Sequence, residues 1–544
     1  MQTTLDRLVI LGLDGATWTV LDPMRERGLM PNLDALLARA AHGTLRSCIP
    51  PVTTAAWTTM LTGCGPARHG LFDHRHYDVA SNQMKVNHSA RVRVPTVWHS
   101  FSHAGRSVVC LNVPGMYPPP QVRGVVVSGM DAPHLEAALS GAPEFAARLR
   151  NEAPDYTLRY FWKRAPQSYE ELAENARLTA QSFRGRAEGG LLADKVQPDW
   201  SVLMVQFQNL DPFQHRVWPY LNVDETGVDR PNWNVAAAEV IRGLDVAIGL
   251  LCELADQRGA AVMVTSDHGF GPCLGRVHVN RILLDAGIAR LPGIAGQGWR
   301  RLKQAREHFR LWGAKRDDPH ARTSSFDASV TAQFPFDWKR TLAFAPHQDT
   351  AAMIYLNSTA RRAGAPLSTP RELDDAREAT VAVLSEACHP ETGKPLFPKI
   401  VEVAEAYHLD PAREGYPDLI ALPDEAYWVR TKLASGAGWV EPDANLPGTH
   451  RPEGIIALAT DRVTPGRTLN ADLQDVTPTI LKLFGLPIPT HVEGKPLSLL
   501  SDLPTRRQDP GANPVTGPHR PQFEYTPEEQ AIIEQRLADL GYLE

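Results

Sequence analysis

Acidic and histidine residues follow or precede four short apolar runs of the sequence. They are Asp14 in LGLDG, Asp211 and His215 after VLMVQFQNL, Asp267 and His268 in TSDHG, and His450 in GTHRPEG. Carboxylate and imidazole ligands without thiolate suit zinc, and they also accept manganese or iron. Residues four apart share one helical face, so Asp211 and His215 can both reach a single ion. The set predicts a site for two divalent metal ions.

Hydroxyl groups are concentrated in one stretch, IPPVTTAAWTTMLTGCGPARHG, which contains five threonines. A threonine hydroxyl becomes a phosphoryl nucleophile when a metal activates it. Two divalent cations would be balanced by three aspartates and one threonine alkoxide, and a nearly neutral cluster accepts a phosphate ester. Two metals about 3.5–4 Å apart can activate the nucleophile and stabilise the leaving oxygen.

Each motif alone has an ordinary structural explanation. A single aspartate at a strand end is commonly a turn former, and one Asp-x-x-x-His pair is a weak signal. The joint occurrence of the motifs, each at a strand end, is what favours the metal site.

The apolar runs that carry these residues are the predicted strands of an α/β fold. They read RLVILGLD, SVVCLNV, GVVVSGM, SVLMVQFQ, AAVMVTSD and GIIALAT. Helical patterns alternate with them, as in residues 234–259, which a glycine closes. This alternation predicts a mostly parallel central sheet with helices on both faces. Ligands of such sheets bind beyond the carboxyl ends of the strands, which is where the acidic residues lie.

Interruptions of the alternation between predicted strands and helices indicate the domain organisation. A catalytic domain is expected over 1–505, with inserted cap regions at about 135–195 and 290–440. A Pro/Gly-rich linker at 506–525 then leads to a C-terminal helix at 526–544.

Composition narrows the class of protein. The chain has 544 residues, 43% of them hydrophobic, and a formal charge of −6, so no nucleic-acid partner is expected. No apolar window approaches the length of a membrane span, and the N-terminus lacks a signal-peptide pattern. Six scattered cysteines without CxxC pairs argue against disulfides, and a cytoplasmic location is expected. The basic segment 299–316 is either a solvated helix face or a contact for an anionic partner. Whether the chain forms a homo-oligomer stays open.

Together these motifs resemble the type I phosphodiesterase/nucleotide pyrophosphatase family of the alkaline phosphatase superfamily. The resemblance covers about residues 7–500 and rests on LGLDG, MPNLDALL, PPVTTAAWTTMLTG, LDPFQH, TSDHGFG, GTHRPEG and DVTPTILKLFGLPIP. It implies an alkaline-phosphatase-like fold with inserted caps and two metal ions, for which Zn²⁺ is favoured. It also implies that the ligands are Asp211, His215 and His450 for one metal, and Asp14, Asp267, His268 and the nucleophile for the other.

The resemblance also implies which threonine is the nucleophile. In the family it lies ten residues before the glycine of a Thr-Gly pair, and counting back from Gly63 gives Thr53. The implied mechanism is in-line displacement through a phosphothreonine intermediate. A sulfatase-like reading of CGPAR is disfavoured, because Cys64 follows the Thr-Gly pair and lies eleven residues after Thr53. We interpret CGPAR as a turn after the nucleophile helix.

One position departs from the family pattern. Nucleotide pyrophosphatases have an asparagine about twenty-one residues after the nucleophile, where it holds a phosphate oxygen, and here that position is His74. Histidine can donate the same bond, and His74 is therefore a second catalytic candidate. The predicted function is hydrolysis of phosphodiester or nucleotide pyrophosphate bonds in a small-molecule substrate. The alternatives are a phosphomonoesterase, a phosphonate hydrolase, a sulfatase, and a catalytically silent binding protein with the same fold.

Overall fold

A computed structural model describes residues 4–293, 330–347, 349–433, 438–507 and 523–540. These residues form two units. The first consists of Met1–His74, Val86–Leu274 and Asp443–Glu544, and the second of Arg75–Lys85 and Gly275–Pro442. The predicted basic segment 299–316 and most of the predicted linker lie outside the described residues.

Strands and helices alternate along much of the chain. The strands are β1 Leu8–Leu13, β2 Ala41–Arg46, β3 Arg75–Asp78, β4 Gln83–Val86, β5 Ser107–Val113, β6 Gly124–Ser128, β7 Leu139–Ser140, β8 Trp200–Phe207, β9 Ala261–Thr265, β10 Gly269–Pro272, β11 Gly275–His278, β12 Ala343–Phe344, β13 Ala352–Leu356, β14 Lys399–Glu402, β15 Leu419–Leu422, β16 Tyr427–Arg430, β17 Val440–Glu441, β18 Gly448–Arg451, β19 Glu453–Ala459 and β20 Thr468–Asp472.

The helices are α1 Trp18–Glu26, α2 Pro31–Leu37, α3 Thr53–Thr62, α4 Pro66–His69, α5 Val97–His103, α6 Phe145–Glu152, α7 Tyr169–Val196, α8 Leu210–Leu221, α9 Pro231–Arg258, α10 Val279–Asp285, α11 Val330–Gln333, α12 Pro370–Glu386, α13 Val403–Tyr407, α14 Pro411–Glu414, α15 Val476–Leu483 and α16 Pro527–Leu540. Among the helices of the described ranges, none is long and apolar enough to cross a membrane.

The first unit is built on a nine-stranded sheet in the order β20-β2-β19-β9-β1-β8-β5-β6-β7. Strand β1 pairs in parallel with both β8 and β9, and β5 pairs in parallel with β8 and β6. Strand β19 runs antiparallel to β9 and β2, and β7 runs antiparallel to β6. The prediction of a mostly parallel α/β sheet is confirmed.

Both faces of this sheet are covered, which explains why its strands read as continuous apolar runs. Alternate residues of a strand point to opposite faces. Leu11 therefore joins a core with residues of α7 and α9, whereas Ile10 joins a second core with Trp57 of α3 and Ile480 of α15. The strand ends are thereby fixed in place between two packed layers.

The second unit contains its own small antiparallel sheet, in the order β12-β13-β15-β14. Helix α12 begins at a capping box, in which the Glu372 amide donates to Thr369 Oγ1 at 3.3 Å and the Thr369 amide donates to Glu372 Oε2 at 2.9 Å. The Tyr77 ring packs edge-on against Phe344 and Tyr355. This unit thus has an aromatic core of its own.

The C-terminal helix α16 contacts the loop that follows β6 in the first unit. Arg536 of α16 donates to the carbonyl oxygens of Met130 at 2.9 Å and Pro133 at 2.7 Å, and also to that of Ala132. The Tyr525 hydroxyl donates to the Asp131 carbonyl oxygen at 2.9 Å. Hydrogen bonds from Arg536 and Tyr525 therefore hold the C-terminal helix and the residues just before it against the loop after β6.

Candidate active site

Adjacent strands of the sheet deliver the predicted site residues to one edge. Asp14 follows β1, Asp211 and His215 lie on α8 after β8, Asp267 and His268 follow β9, His450 lies on β18, and Thr53 is the first residue of α3. Strands β8, β1 and β9 are neighbours and parallel, so their carboxyl ends meet. Strand β10 pairs antiparallel with β18, which places Phe270 opposite His450 and brings the last ligand to the same edge. All seven side chains are at most 4% exposed.

Backbone carbonyl groups set the tautomer of the three imidazoles. His215 Nδ1 lies 2.8 Å from the Gly448 oxygen, and His450 Nδ1 lies 2.9 Å from the Pro51 oxygen. His268 Nδ1 lies 3.0 Å from the oxygen of its neighbour Gly269. A carbonyl can only accept, so each neutral ring carries its proton on Nδ1 and presents a lone pair on Nε2.

The first group of acceptors consists of Asp211, His215 and His450. His450 Nε2 lies 3.0 Å from both His215 Nε2 and Asp211 Oδ1, and His215 Nε2 lies 3.5 Å from the same Asp211 oxygen. Three lone-pair atoms facing one another repel unless a cation lies between them. Their identity and spacing fit a divalent metal.

The second group surrounds His268. Its Nε2 lies 3.3 Å from Asp267 Oδ2, 3.6 Å from Asp14 Oδ1 and 3.9 Å from Asp211 Oδ1. Thr53 Oγ1 lies 3.4 Å from the same nitrogen. Within the described ranges, Asp14 Oδ1 and Asp267 Oδ2 are buried without a hydrogen-bond partner. Unpartnered buried carboxylate oxygens are costly, so this group also fits a bound cation.

Burial sets the direction of the pKa shifts at the site. It lowers the pKa values of His215 and His268 well below their ordinary range, and that of His450 to about 3. Burial also raises the pKa of Asp14, and the negative charge of Asp211 raises it further. In the same way, burial raises the pKa of Asp267, and the negative charge of Asp14 raises it further. The imidazoles are therefore neutral and ready to bind a metal.

Neighbouring groups orient the carboxylates. Asp14 Oδ2 accepts from Trp57 Nε1 at 2.9 Å and from Gln206 Nε2 at 2.6 Å. Asp267 Oδ1 accepts from the Gly15 amide at 3.1 Å. One oxygen of each carboxylate is thus held by donors, while the other faces the histidine cluster.

Gln206 was missed by the sequence analysis, although the sequence contains a signal for it. Gln206 and Gln208 are amide side chains at the end of an otherwise apolar strand, and the structure buries both. Buried polar side chains require partners, and Gln206 finds one in Asp14.

The nucleophile candidate lies at the start of α3, whose ten residues are all buried. The first N–H groups of a helix have no acceptor within the helix and favour anions. Thr53 therefore combines a hydroxyl beside the second group of acceptors with backbone donors that suit phosphate oxygens.

His74 lies beside the same helix start, with its Nδ1 2.7 Å from Thr54 Oγ1 and its side chain 4% exposed. Cys64 lies at the other end of α3, where its thiol donates to Thr62 Oγ1 at 3.4 Å. Burial raises the pKa of this thiol to about 12. At about 1.5 Å of rise per residue, the helix keeps Cys64 well away from the acceptor groups.

Comparison of the sequence with known protein families identifies a match to one family. The sequence profile of "Type I phosphodiesterase / nucleotide pyrophosphatase" matches residues 8–452. No curated protein matches the sequence significantly. Phosphonoacetate hydrolase from Sinorhizobium meliloti 1021 in complex with phosphonoformate is similar in structure, with a TM-score of 0.53, 18% identity, and coverage of 87% of this chain and 95% of that chain. An inactive variant of murine ectonucleotide pyrophosphatase/phosphodiesterase 5 in complex with AMP has a TM-score of 0.50, 13% identity, and coverage of 88% and 95%. At these identities the structural likeness shows the fold.

Proposed function

Because the chain belongs to the type I phosphodiesterase/nucleotide pyrophosphatase family, we propose that it hydrolyses phosphodiester or nucleotide pyrophosphate bonds with Thr53 as its nucleophile. The observation that carries this proposal is the convergence of neutral imidazoles and carboxylates beside the Thr53 hydroxyl. A silent binding protein would not require this set of acceptor atoms.

We assign the ligands to two divalent ions. Asp211, His215 and His450 would hold one ion, and Asp14, Asp267, His268 and Thr53 would hold the other. Zn²⁺ suits this donor set best, and Mn²⁺ or iron is also accommodated. When bound, the ions would supply positive charge that lowers the pKa of the Thr53 hydroxyl and offsets charge on the phosphate.

The chain's own residues position the reacting atoms. Thr53 Oγ1 forms a bond to phosphorus as the bond to the leaving oxygen breaks, which leaves a phosphothreonine ester that water hydrolyses. The first N–H groups of α3 donate to phosphate oxygens during this displacement. His74, beside Thr54, is assigned a contact with a non-bridging phosphate oxygen.

A second candidate is hydrolysis of phosphonates or phosphomonoesters. It is favoured by the imidazole of His74, since a group that can become cationic suits a more highly charged substrate than an amide does. Phosphonoacetate hydrolase has the same fold. Turnover of phosphodiesters, nucleotide pyrophosphates, monoesters and phosphonoacetate, measured side by side with zinc or manganese, distinguishes the two candidates.

We also propose a cytoplasmic location. The six cysteines, all within the described ranges, form no disulfide with one another, and three of them are buried. A reducing compartment keeps such thiols intact. Fractionation of cells that express the chain tests this proposal, and recovery of the protein outside the cytoplasm would contradict it.

The nucleophile assignment predicts that Thr53→Ala removes hydrolysis of a nitrophenyl phosphodiester. A loss on the order of a thousandfold or more in kcat is expected for a nucleophile, while the ion assigned to Asp211, His215 and His450 stays bound. Thr53→Ser retains a hydroxyl and should keep measurable activity.

Thr62→Ala is the matched control for this experiment. Thr62 is buried in the same helix, and its hydroxyl donates to the Thr58 carbonyl oxygen at 2.7 Å, away from the acceptor groups. It should retain nearly full activity. Full activity in Thr53→Ala would refute the assignment.

A further inference from the structure

A buried arginine lies behind the site. Arg186 belongs to α7 and is 2% exposed. Its guanidinium donates to the Gln206 carbonyl oxygen at 2.8 Å and, more weakly, to the Thr157 carbonyl oxygen at 3.3 Å. In the part of the chain that the structure describes, no carboxylate forms a salt bridge with Arg186. A permanently charged group placed this way is costly, so its position needs a reason.

Two glycines of α7 allow the helix to pack closely enough for Arg186 to reach the end of strand β8. Glycines at 185 and 189 flank it, and a Cβ at Gly185 would lie 2.3 Å from the Asp155 carbonyl carbon. A Cβ at Gly189 would lie 2.6 Å from the ring of Tyr156. Larger residues would push α7 away from this segment and withdraw the guanidinium from the strand.

The guanidinium also contacts the side chain of Gln206, which connects it to a site carboxylate. Arg186 Nη1 donates to Gln206 Oε1 at 3.2 Å, and Gln206 Nε2 donates to Asp14 Oδ2 at 2.6 Å. A guanidinium has no acceptor, so it fixes which end of the amide faces it. The opposite orientation would place the Gln206 oxygen against the Asp14 carboxylate and the amino group against the cation.

We propose that Arg186 is a positioning residue of the metal site, and that it acts through the Gln206 amide on the carboxylate of Asp14. With Oδ2 engaged by Gln206 and Trp57, the carboxylate turns Oδ1 toward His268. Outer hydrogen bonds of this kind orient metal ligands and tune metal affinity. The inference rests on the proposed function, in which Asp14 holds one of the two ions.

The experiment measures zinc binding to the metal-free full chain by competition with a chromophoric chelator. Arg186→Gln removes the cation, and Gln206→Met removes the connecting amide while Arg186 keeps its backbone acceptor. We expect each variant to weaken one of the two zinc-binding steps by about 10–100-fold and to leave the other unchanged. The double variant should be no weaker than either single variant, because both break the same connection.

Arg536→Gln is the matched control. Arg536 is a half-buried arginine of the first unit that donates to carbonyl oxygens, and within the described ranges none of its hydrogen bonds leads to a proposed ligand. It should lower stability while both zinc-binding steps stay as in the wild type. Gln206→Met keeps the test decisive if Arg186→Gln does not fold.

Two results would overturn the inference. The first is wild-type zinc affinity in Gln206→Met, or additive losses in the double variant, with phosphodiester hydrolysis by the wild type intact. The second is a wild-type chain that binds none of zinc, manganese and iron, which would overturn the proposed function as well.

Discussion

The inward-facing atom of each side chain decides the chemistry of the site. The sequence shows that histidines are present, but the carbonyl oxygens of Gly448, Pro51 and Gly269 determine that Nε2 is the nitrogen that faces the carboxylates. If Nε2 instead carried the proton, the ring would direct an N–H group and not a lone pair toward the carboxylates. The choice of tautomer thus converts a set of polar residues into a site that fits cations.

A different buried histidine gives the site region a predicted sensitivity to acid. His69 on α4 is completely buried, its Nδ1 accepts from the Leu71 amide at 3.3 Å, and its Nε2 lies 3.0 Å from Thr59 Oγ1 on α3. Burial lowers its pKa to about 3. The unfolded chain, with an ordinary pKa of about 6.5, therefore binds more protons as the pH falls below that value. Stability from this group is present above about pH 6.5 and is lost on acidification.

We expect the stability difference between the wild type and His69→Gln to shrink by about 2 kcal/mol between pH 7 and pH 5. Urea unfolding of both chains at each pH measures it. The contributions of the site histidines are shared by both chains and cancel in the difference. A pH-independent difference would show that His69 is not held neutral in the folded state.

Among the helices and strands, α3 carries the nucleophile candidate, and a glycine at its C-terminal end fixes its length. The helix ends at Gly63, whose φ of 68° lies in the left-handed region, and the Gly63 amide donates to the Thr59 carbonyl oxygen at 2.8 Å. The Gly63 carbonyl oxygen accepts from the amides of Glu493 and Gly494. This glycine therefore fixes where the nucleophile helix stops and how it meets the chain near residue 493.

Gly63→Ala is expected to destabilise the protein more than Gly259→Ala does. Both glycines are left-handed helix caps, so an alanine costs about 1–2 kcal/mol in backbone strain at either position. A Cβ at Gly63 would also lie 2.9 Å from Val492 Cγ1, whereas a Cβ at Gly259 meets nothing within 4 Å. Crowding adds about 1–3 kcal/mol at the first position. Denaturant midpoints of the two variants measure the difference, and equal losses would contradict the close packing of Gly63.

For the molecule as a whole, the proposed ligands connect distant parts of the chain. Asp14, Asp211, Asp267 and His450 come from all three chain segments of the first unit, and they meet at one edge of its sheet. An ion bound there is bound by the folded chain and not by the unfolded one. Metal binding should therefore stabilise the folded first unit.

Removal of metal with a chelator is expected to lower the thermal midpoint, and added zinc should restore it. A ligand at a hundredfold excess over its dissociation constant stabilises by about 2.7 kcal/mol. Calorimetry at several free zinc concentrations measures this effect. His215→Ala, which lacks one ligand of the first group, should respond less to zinc, and a thermal midpoint independent of zinc in the wild type would contradict the metal assignment.

The amino-acid sequence alone was enough to predict the main strands and helices and the family. Continuous apolar runs predicted buried strands, and aspartates after those runs marked the sheet edge, because burial and turn formation depend on neighbours in the chain. The ordered motifs likewise identified the family to which the chain belongs, and the resemblance to that family implied Thr53 as the candidate nucleophile. The metal roles of the individual residues stay predictions.

The surroundings of those residues, in contrast, follow from how distant parts of the chain pack together. The pairing of Gln206 with Asp14, the depth of Arg186 and the return of Arg536 to the loop after β6 join positions that are far apart in the chain. The direction of a side chain depends on which elements pack against its own. No local pattern records that packing, and for this reason the residues that orient the ligands emerge only in the folded protein.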